Sequence, residues 1–447
     1  MPEGFVFVLE DGSGRPSRKD MTLVHSHSMK GRNVRINSRR WKQREKRARE
    51  ATMLFREEVI SRAPPSDLEC VQFATKIDDR SRQALFKVLA ISATSNLLYP
   101  VERCIDLHNA QDYVRWLSQD AGFVHITLFT TCAIDDFMQH QAPTTLTLQY
   151  LRQSLVYVNS KLSEHEGYKL DTIIVVVMTL AFMGTMFEDL DAASAHIKGL
   201  QRLVQLRGGH QYLMKNPKIY FKIERIELSW CLSTGQVPVF YRSPVSWQPF
   251  FRGSQPAPSG LCDILSIDIA TWPKLAGVYK DLQYLSNLIN KNDIHGTMMD
   301  AESFQNAVHS IQSRLLALQG DNRGGIGECM RLGMLAVLTT TFRMPSRKMP
   351  HAYLASRLRA TLETTSATTP GSRMVLTWVL LMSIVAVFEA NESWISHLWC
   401  TLVRQQKWEA MEAMMEQLIW IRCIHDEPGN QAFMQLERSR HVVVHGI

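Results

Sequence analysis

Beyond Pro64-Pro65, apolar side chains return every three or four residues in segment after segment, and that periodicity leaves little choice of fold. Between Ser303 and Leu318, the residues Phe304, Val308, Ile311, Leu315 and Leu318 fall on one stripe, with Gly320 where a helix cap belongs. Between Leu190 and Arg207 the stripe is Ala193, Ile197, Leu200 and Val204, closed by Gly208-Gly209. Trp408, Met411, Met415, Leu418 and Ile421 repeat the pattern near the C-terminus, with Glu409, Glu412 and Glu416 on another face. No convincing run alternates with period two, no βαβ rhythm is visible, and no repeat of solenoid length recurs. The expected fold is all-α: a large multi-helical domain over 66–447, preceded by a basic, largely irregular arm over 1–65. Irregular stretches fall at 235–260, 343–351 and 367–373. The first, rich in Pro, Ser and aromatics, is the place for an internal boundary or a long surface loop.

The composition agrees with a globular chain. Of 447 residues, 45% are hydrophobic and 21% charged, which excludes wholesale disorder and collagen-like repeats. A core of this size needs neither disulfides nor metals. The uncharged runs Ile173–Phe187 and Met374–Phe388 are 15 residues each. A membrane span wants about 20, so both are expected to be buried core helices and no membrane partner is expected. Phe5–Leu9 is closed at once by Glu10 and Asp11, too short for a secretion signal. The eight cysteines are never closer than 23 residues, so the C-x-x-C pairs of zinc and redox sites are missing. Cys132 and Cys423, in apolar surroundings, read as small buried hydrophobes of a reducing compartment.

Charge is distributed unevenly. Arg15 to Arg49 holds thirteen Lys or Arg against Asp20 and Glu45, a local +11 in a chain whose total is +7, leaving −4 for the rest. The densest part is Arg39-Arg40-Trp-Lys42-Gln-Arg44-Glu-Lys46-Arg47-Ala-Arg49. Closely spaced guanidinium and ammonium groups suit an importin, which reads them as an extended peptide, or nucleic-acid phosphates, which accept any geometry. A solvated arm with neither role is the third reading. If the segment is helical, Arg40, Arg44 and Arg47 share a face, but no zipper follows at heptad spacing.

Motifs of catalysis are weak. No phosphate loop, G-x-S-x-G elbow or H-E-x-x-H is present. Arg323-Gly-Gly-Ile-Gly327 reads as a turn. His425-Asp426 offers half of a metal site, though a loop after a helix explains it better. Asp135-Asp136 is a bare carboxylate pair. Glu188-Asp189-Leu-Asp191 opens a helix, where acids cap the positive end of the dipole. No cofactor, metal or catalytic residue is expected.

Three stretches together resemble the fungal zinc-cluster transcription factors, specifically their helical fungal-specific transcription factor domain. They are Phe5-Val-Phe-Val8 with His25-Ser-His-Ser-Met29 and the Arg-rich arm; His196 to Gly209, ending Leu-Arg-Gly-Gly; and Lys222-Ile-Glu-Arg-Ile-Glu-Leu228 with Gly235 and Pro238. The resemblance implies a regulator with the helical middle domain. It departs from the family in lacking the N-terminal six-cysteine cluster, because Cys70 is the first cysteine. The arm would then contact DNA weakly, or a partner would supply specificity, or an upstream exon would carry the missing cluster.

The reading that follows is a nuclear, non-enzymatic transcriptional regulator of fungal type. Arg39, Arg40, Lys42, Arg44, Lys46, Arg47 and Arg49 engage an importin and, in one version, DNA phosphates. The helical body recruits a partner transcription factor or forms a homodimer. The rival readings are a helical interaction scaffold without DNA contact, and an all-α enzyme.

Overall fold

The computed structural model describes residues 72–94, 100–106, 110–241, 244–251, 273–319, 325–342, 344, 347–404 and 406–445. Among them the protein is all-α, with sixteen α-helices. The helices are α1 Asp79–Thr94, α2 Ala110–Gln119, α3 Ala121–Met138, α4 Thr145–Ser163, α5 Asp171–Met186 and α6 Leu190–Leu206. There follow α7 His210–Lys215, α8 Pro217–Thr234, α9 Pro273–His295, α10 Ala301–Ala317 and α11 Ile326–Thr340. The last five are α12 Ala352–Thr364, α13 Pro370–Ala386, α14 Ser393–Leu402, α15 Trp408–Glu416 and α16 Arg422–His445. The one sheet among the described residues is a two-residue parallel bridge, β1 Ile105–Asp106 with β2 Met299–Asp300, pairing Ile105 with Met299.

Several helices begin where a side chain satisfies a free amide. Asp120 caps α3 by accepting from the Phe123 amide at 3.1 Å, and its other oxygen accepts the hydroxyls of Tyr157 and Thr172. Asp189 caps α6 and Asp300 caps α10. Thr369 and Ser372 close a reciprocal capping box on α13. Asp136, one of the paired carboxylates, is buried and accepts from the Thr144 amide and the Thr147 hydroxyl, bracing the start of α4.

The periodic stripes lie in the core. Phe304, Val308, Ile311, Leu315 and Leu318 are all buried, as are Ala193, Ile197, Leu200 and Val204. The two uncharged runs form α5 and α13, and no helix among the described residues is long and apolar enough to cross a membrane. Trp378, Trp399 and Trp420 are the largest fully buried side chains, and each indole finds an acceptor: Ile419 O, Glu437 and Asp426.

Four expectations need correction. The Trp408–Ile421 stripe is buried as expected for Met411, Met415, Leu418 and Ile421, but it is not one helix. The chain leaves α15 after Glu416 and restarts at Arg422, with the Arg422 guanidinium on Glu416 and its amide on Asn290. His425 and Asp426 therefore sit in the first turn of α16, not in a loop after a helix. Residues 370–373, read as irregular, already belong to α13, because Pro370 at the first helical position needs no amide partner. Cys132 is buried, whereas Cys423 is partly exposed.

Helices α11 and α13 cross closely at Gly333. A Cβ on Gly333 would lie 2.6 Å from the Trp378 ring, which is fully buried and cannot retreat. Gly333→Ala is expected to cost about 1–3 kcal/mol of stability in a denaturant titration, while retaining the helical circular-dichroism spectrum.

Candidate functional site

The seven cations Arg39, Arg40, Lys42, Arg44, Lys46, Arg47 and Arg49 lie outside the described residues, as do Phe5–Val8, His25–Met29, Gly320, and Arg323 and Gly324 at the start of the Gly-rich turn. Within the body, the chemistry-bearing side chains gather on α8 and its neighbours.

Alpha-helix α8 carries Glu224, Arg225 and Glu227, and the two acids are buried in a stripe with Ile223 and Leu228. Glu224 is hydrogen-bonded through Oε1 to Nδ1 of His309 on α10. The imidazole is flanked by Tyr220, with ring centroids 5.3 Å apart, and Tyr241 at 5.6 Å. Burial raises the Glu224 carboxyl above its usual range, and the His309 bond works against that rise. Gln312 joins the cluster by donating to the Glu224 backbone carbonyl at 2.8 Å and to the Tyr241 hydroxyl. Burial lifts the Tyr241 phenol well above its ordinary value, so it is a neutral hydrogen-bonding group. Arg225 reaches the Leu338 carbonyl at 2.7 Å and the Thr341 hydroxyl at 2.8 Å, tying α8 to the end of α11.

Glu227 acts on the chain that leaves α8. Gly235 ends the helix in the left-handed region at φ 74°, and the path then turns so that the amides of Val239 and Phe240 both donate to Glu227 Oε1. A side chain on Gly235 would meet the Tyr353 ring at 2.6 Å. Burial pushes the Glu227 carboxyl up to about 8 despite those two amides. A buried orienting carboxylate can hold an imidazole in one tautomer for proton transfer. Here both tyrosine rings pack on His309, and the arrangement serves as a latch between α8, α10 and the 236–241 segment.

The Leu-Arg-Gly-Gly stretch is a second latch. The Gly209 amide closes the end of α6 on Val204 O at 2.8 Å. Arg207 does more than complement the helix dipole. It donates to Tyr168 O at 2.7 Å and to Leu170 O, pairs with Asp171 at 2.6 Å, and stacks on Tyr212. Of the three stretches behind the family resemblance, the two within the described residues are thus joints where an ionisable side chain on or at the end of a helix holds non-helical backbone.

His425 is fully buried. Its Nδ1 accepts from the Ile421 amide at 2.9 Å and its Nε2 meets the Thr340 hydroxyl at 2.8 Å, so both ring nitrogens are engaged as structural groups. Asp426 accepts the Trp420 indole, and burial raises its carboxyl to about 6. Among the described residues, no three His, Cys, Asp or Glu come together as a metal site. Asp189 takes the capping role that the acidic run predicts.

Sequence spacing does not reveal the α8 cluster, because Glu224 and His309 are 85 residues apart. The available signal is local: two acids, three positions apart, on the apolar stripe of a helix. Glu227 binds its proton more tightly folded than unfolded, so between about pH 4.5 and 8 folding takes up protons and stability falls as pH rises. Glu227→Gln keeps the acceptor for both amides and removes that ionisation. It is expected to flatten the pH dependence of stability by up to about 1.4 kcal/mol per pH unit in this window, read from urea titrations at several pH values.

No protein-family model, curated protein or solved structure matches this chain.

Proposed function

We propose that the chain is a nuclear transcriptional regulator of fungal type that acts through its basic arm and a helical, partner-binding body. The observation that carries the reading is charge: +11 is concentrated between Arg15 and Arg49, ahead of a chain whose remainder sums to −4. A polycation of that density is matched to importin acids or to phosphates, and its affinity for either is electrostatic. The all-α body fits the middle domain that the resemblance implies. The tied joints at Arg207 and Glu227 give that body fixed surfaces on which a partner or a second copy could dock. In this reading, sequence specificity comes from a partner transcription factor or a homodimer, because direct base readout needs side chains placed in a groove.

The test replaces Arg39, Arg40, Lys42, Arg44, Lys46, Arg47 and Arg49 by Gln in the full-length chain. The wild-type protein, fused to a fluorescent reporter, is expected to accumulate in nuclei and the variant to remain outside. In duplex-DNA titrations over a salt series, the wild-type log–log slope is expected to exceed that of the variant by several units, at about 0.9 per phosphate contacted. A variant that still enters nuclei and binds duplex with an unchanged slope would overturn the reading.

A further inference from the structure

The segment that follows α8 places three aromatic residues, Trp247, Phe250 and Phe251, beside α9, whose exposed face is basic. Helical spacing sets Lys280, Tyr284, Asn287, Lys291 and Ile294 within one arc of about 100°, and all five are exposed. No acid lies on this stripe. The two acids of α9 are elsewhere: Asp281 is buried and Asp293 lies off the stripe. On the flank towards α15, the Glu416 carboxylate is paired with Arg422 at 2.6 Å.

Beside Tyr284 lie Phe250 and Phe251. The Phe251 and Tyr284 rings are 4.4 Å apart, the Phe250 and Phe251 rings 4.9 Å, and Lys274 stands 4.6 Å over the Trp247 ring. Phe250 is 36% exposed and Tyr284 40%. Large rings at the surface are ordinarily free to collapse onto apolar neighbours. Here their backbone is fixed from below, since the amides of Phe250 and Phe251 donate to the two oxygens of buried Asp281, itself paired with buried Arg314.

We propose that this face, Lys274, Lys280 and Lys291 with Trp247, Phe250, Phe251 and Tyr284, binds single-stranded nucleic acid. Lysines spread along about 25 Å of helix, Lys280 and Lys291 on the stripe and Lys274 over Trp247, follow a phosphate backbone, and the exposed rings of Phe250 and Tyr284 offer platforms on which unpaired bases stack. An acidic polypeptide would satisfy the lysines but leave the rings without a flat partner, and duplex DNA would keep its bases out of their reach. The proposal goes beyond the arm-based reading and does not depend on it.

The experiment measures fluorescence anisotropy of a labelled oligothymidylate of about 16 nucleotides, titrated with an arm-neutral full-length protein in which all thirteen Lys and Arg between Arg15 and Arg49 are Gln, so that the arm no longer carries a net positive charge. Binding is expected to persist with a log–log salt slope of about −2, from three lysines at roughly 0.7 each. Tyr284→Ala and Phe250→Ala are each expected to weaken it about tenfold. Tyr284→Phe keeps the ring and should retain affinity, and Lys280→Glu with Lys291→Glu should abolish binding. Circular dichroism identifies any variant that has lost its fold. Four results would overturn the proposal: no binding by the arm-neutral protein at about 50 mM salt; ring-removed, folded variants that bind like their parent; duplex of the same length bound as tightly; or polyglutamate bound as tightly. If the arm-neutral protein binds while nuclear import is unaffected by the arm substitutions, the arm reading fails and this one stands.

Discussion

The buried pair Asp281–Arg314 is the constraint on which the most exposed chemistry of this body depends. Taking two such charges out of water costs several kcal/mol per ion unless every lone pair and N–H is engaged. Much of that compensation is in place. Asp281 accepts from Arg314 at 2.6 Å and from the amides of Phe250 and Phe251, while Arg314 also donates to Ser310 O at 2.8 Å. Well-packed apolar residues could hold α9 against α10 equally well, but they could not satisfy two backbone amides of a non-helical segment. That requirement accounts for a charge in the core at this place.

The same device recurs. Glu227 holds the amides of Val239 and Phe240, Arg207 holds the carbonyls of Tyr168 and Leu170, and Arg225 holds the Leu338 carbonyl. In a protein of helices there is no ladder to take up the backbone groups of connecting segments, so ionisable side chains on the helices take them up. The connections gain defined positions, and aromatic side chains carried on them, such as Phe250 and Tyr241, are presented in fixed orientations.

The helices were legible because their apolar stripes and caps are local: Ala193 to Val204 before Gly208-Gly209, and Phe304 to Leu318 after Asp300. What escaped is long-range. Nothing in the spacing links Asp281 to Arg314, 33 residues on, or Glu224 to His309. The break after Glu416 escaped for the same reason. The stripe from Met411 to Ile421 continues through it, and Asn290 of α9 holds the break by donating to Trp420 O and accepting from the Arg422 amide. The basic arm was the most legible charge signal, whereas the lysine–aromatic face emerges only when the fold brings 247–251 beside 274–291.

The central claim is that a buried carboxylate positions the aromatic ledge. Its most direct test is residue-resolved amide hydrogen exchange in wild type and in the double variant Asp281→Leu, Arg314→Met, which keeps the volume apolar and leaves no charge unpaired. The account predicts that the protein remains folded, and that the Phe250 and Phe251 amides lose protection while those of Val239 and Phe240, held by Glu227, keep theirs. Unchanged protection at Phe250 and Phe251 would contradict it.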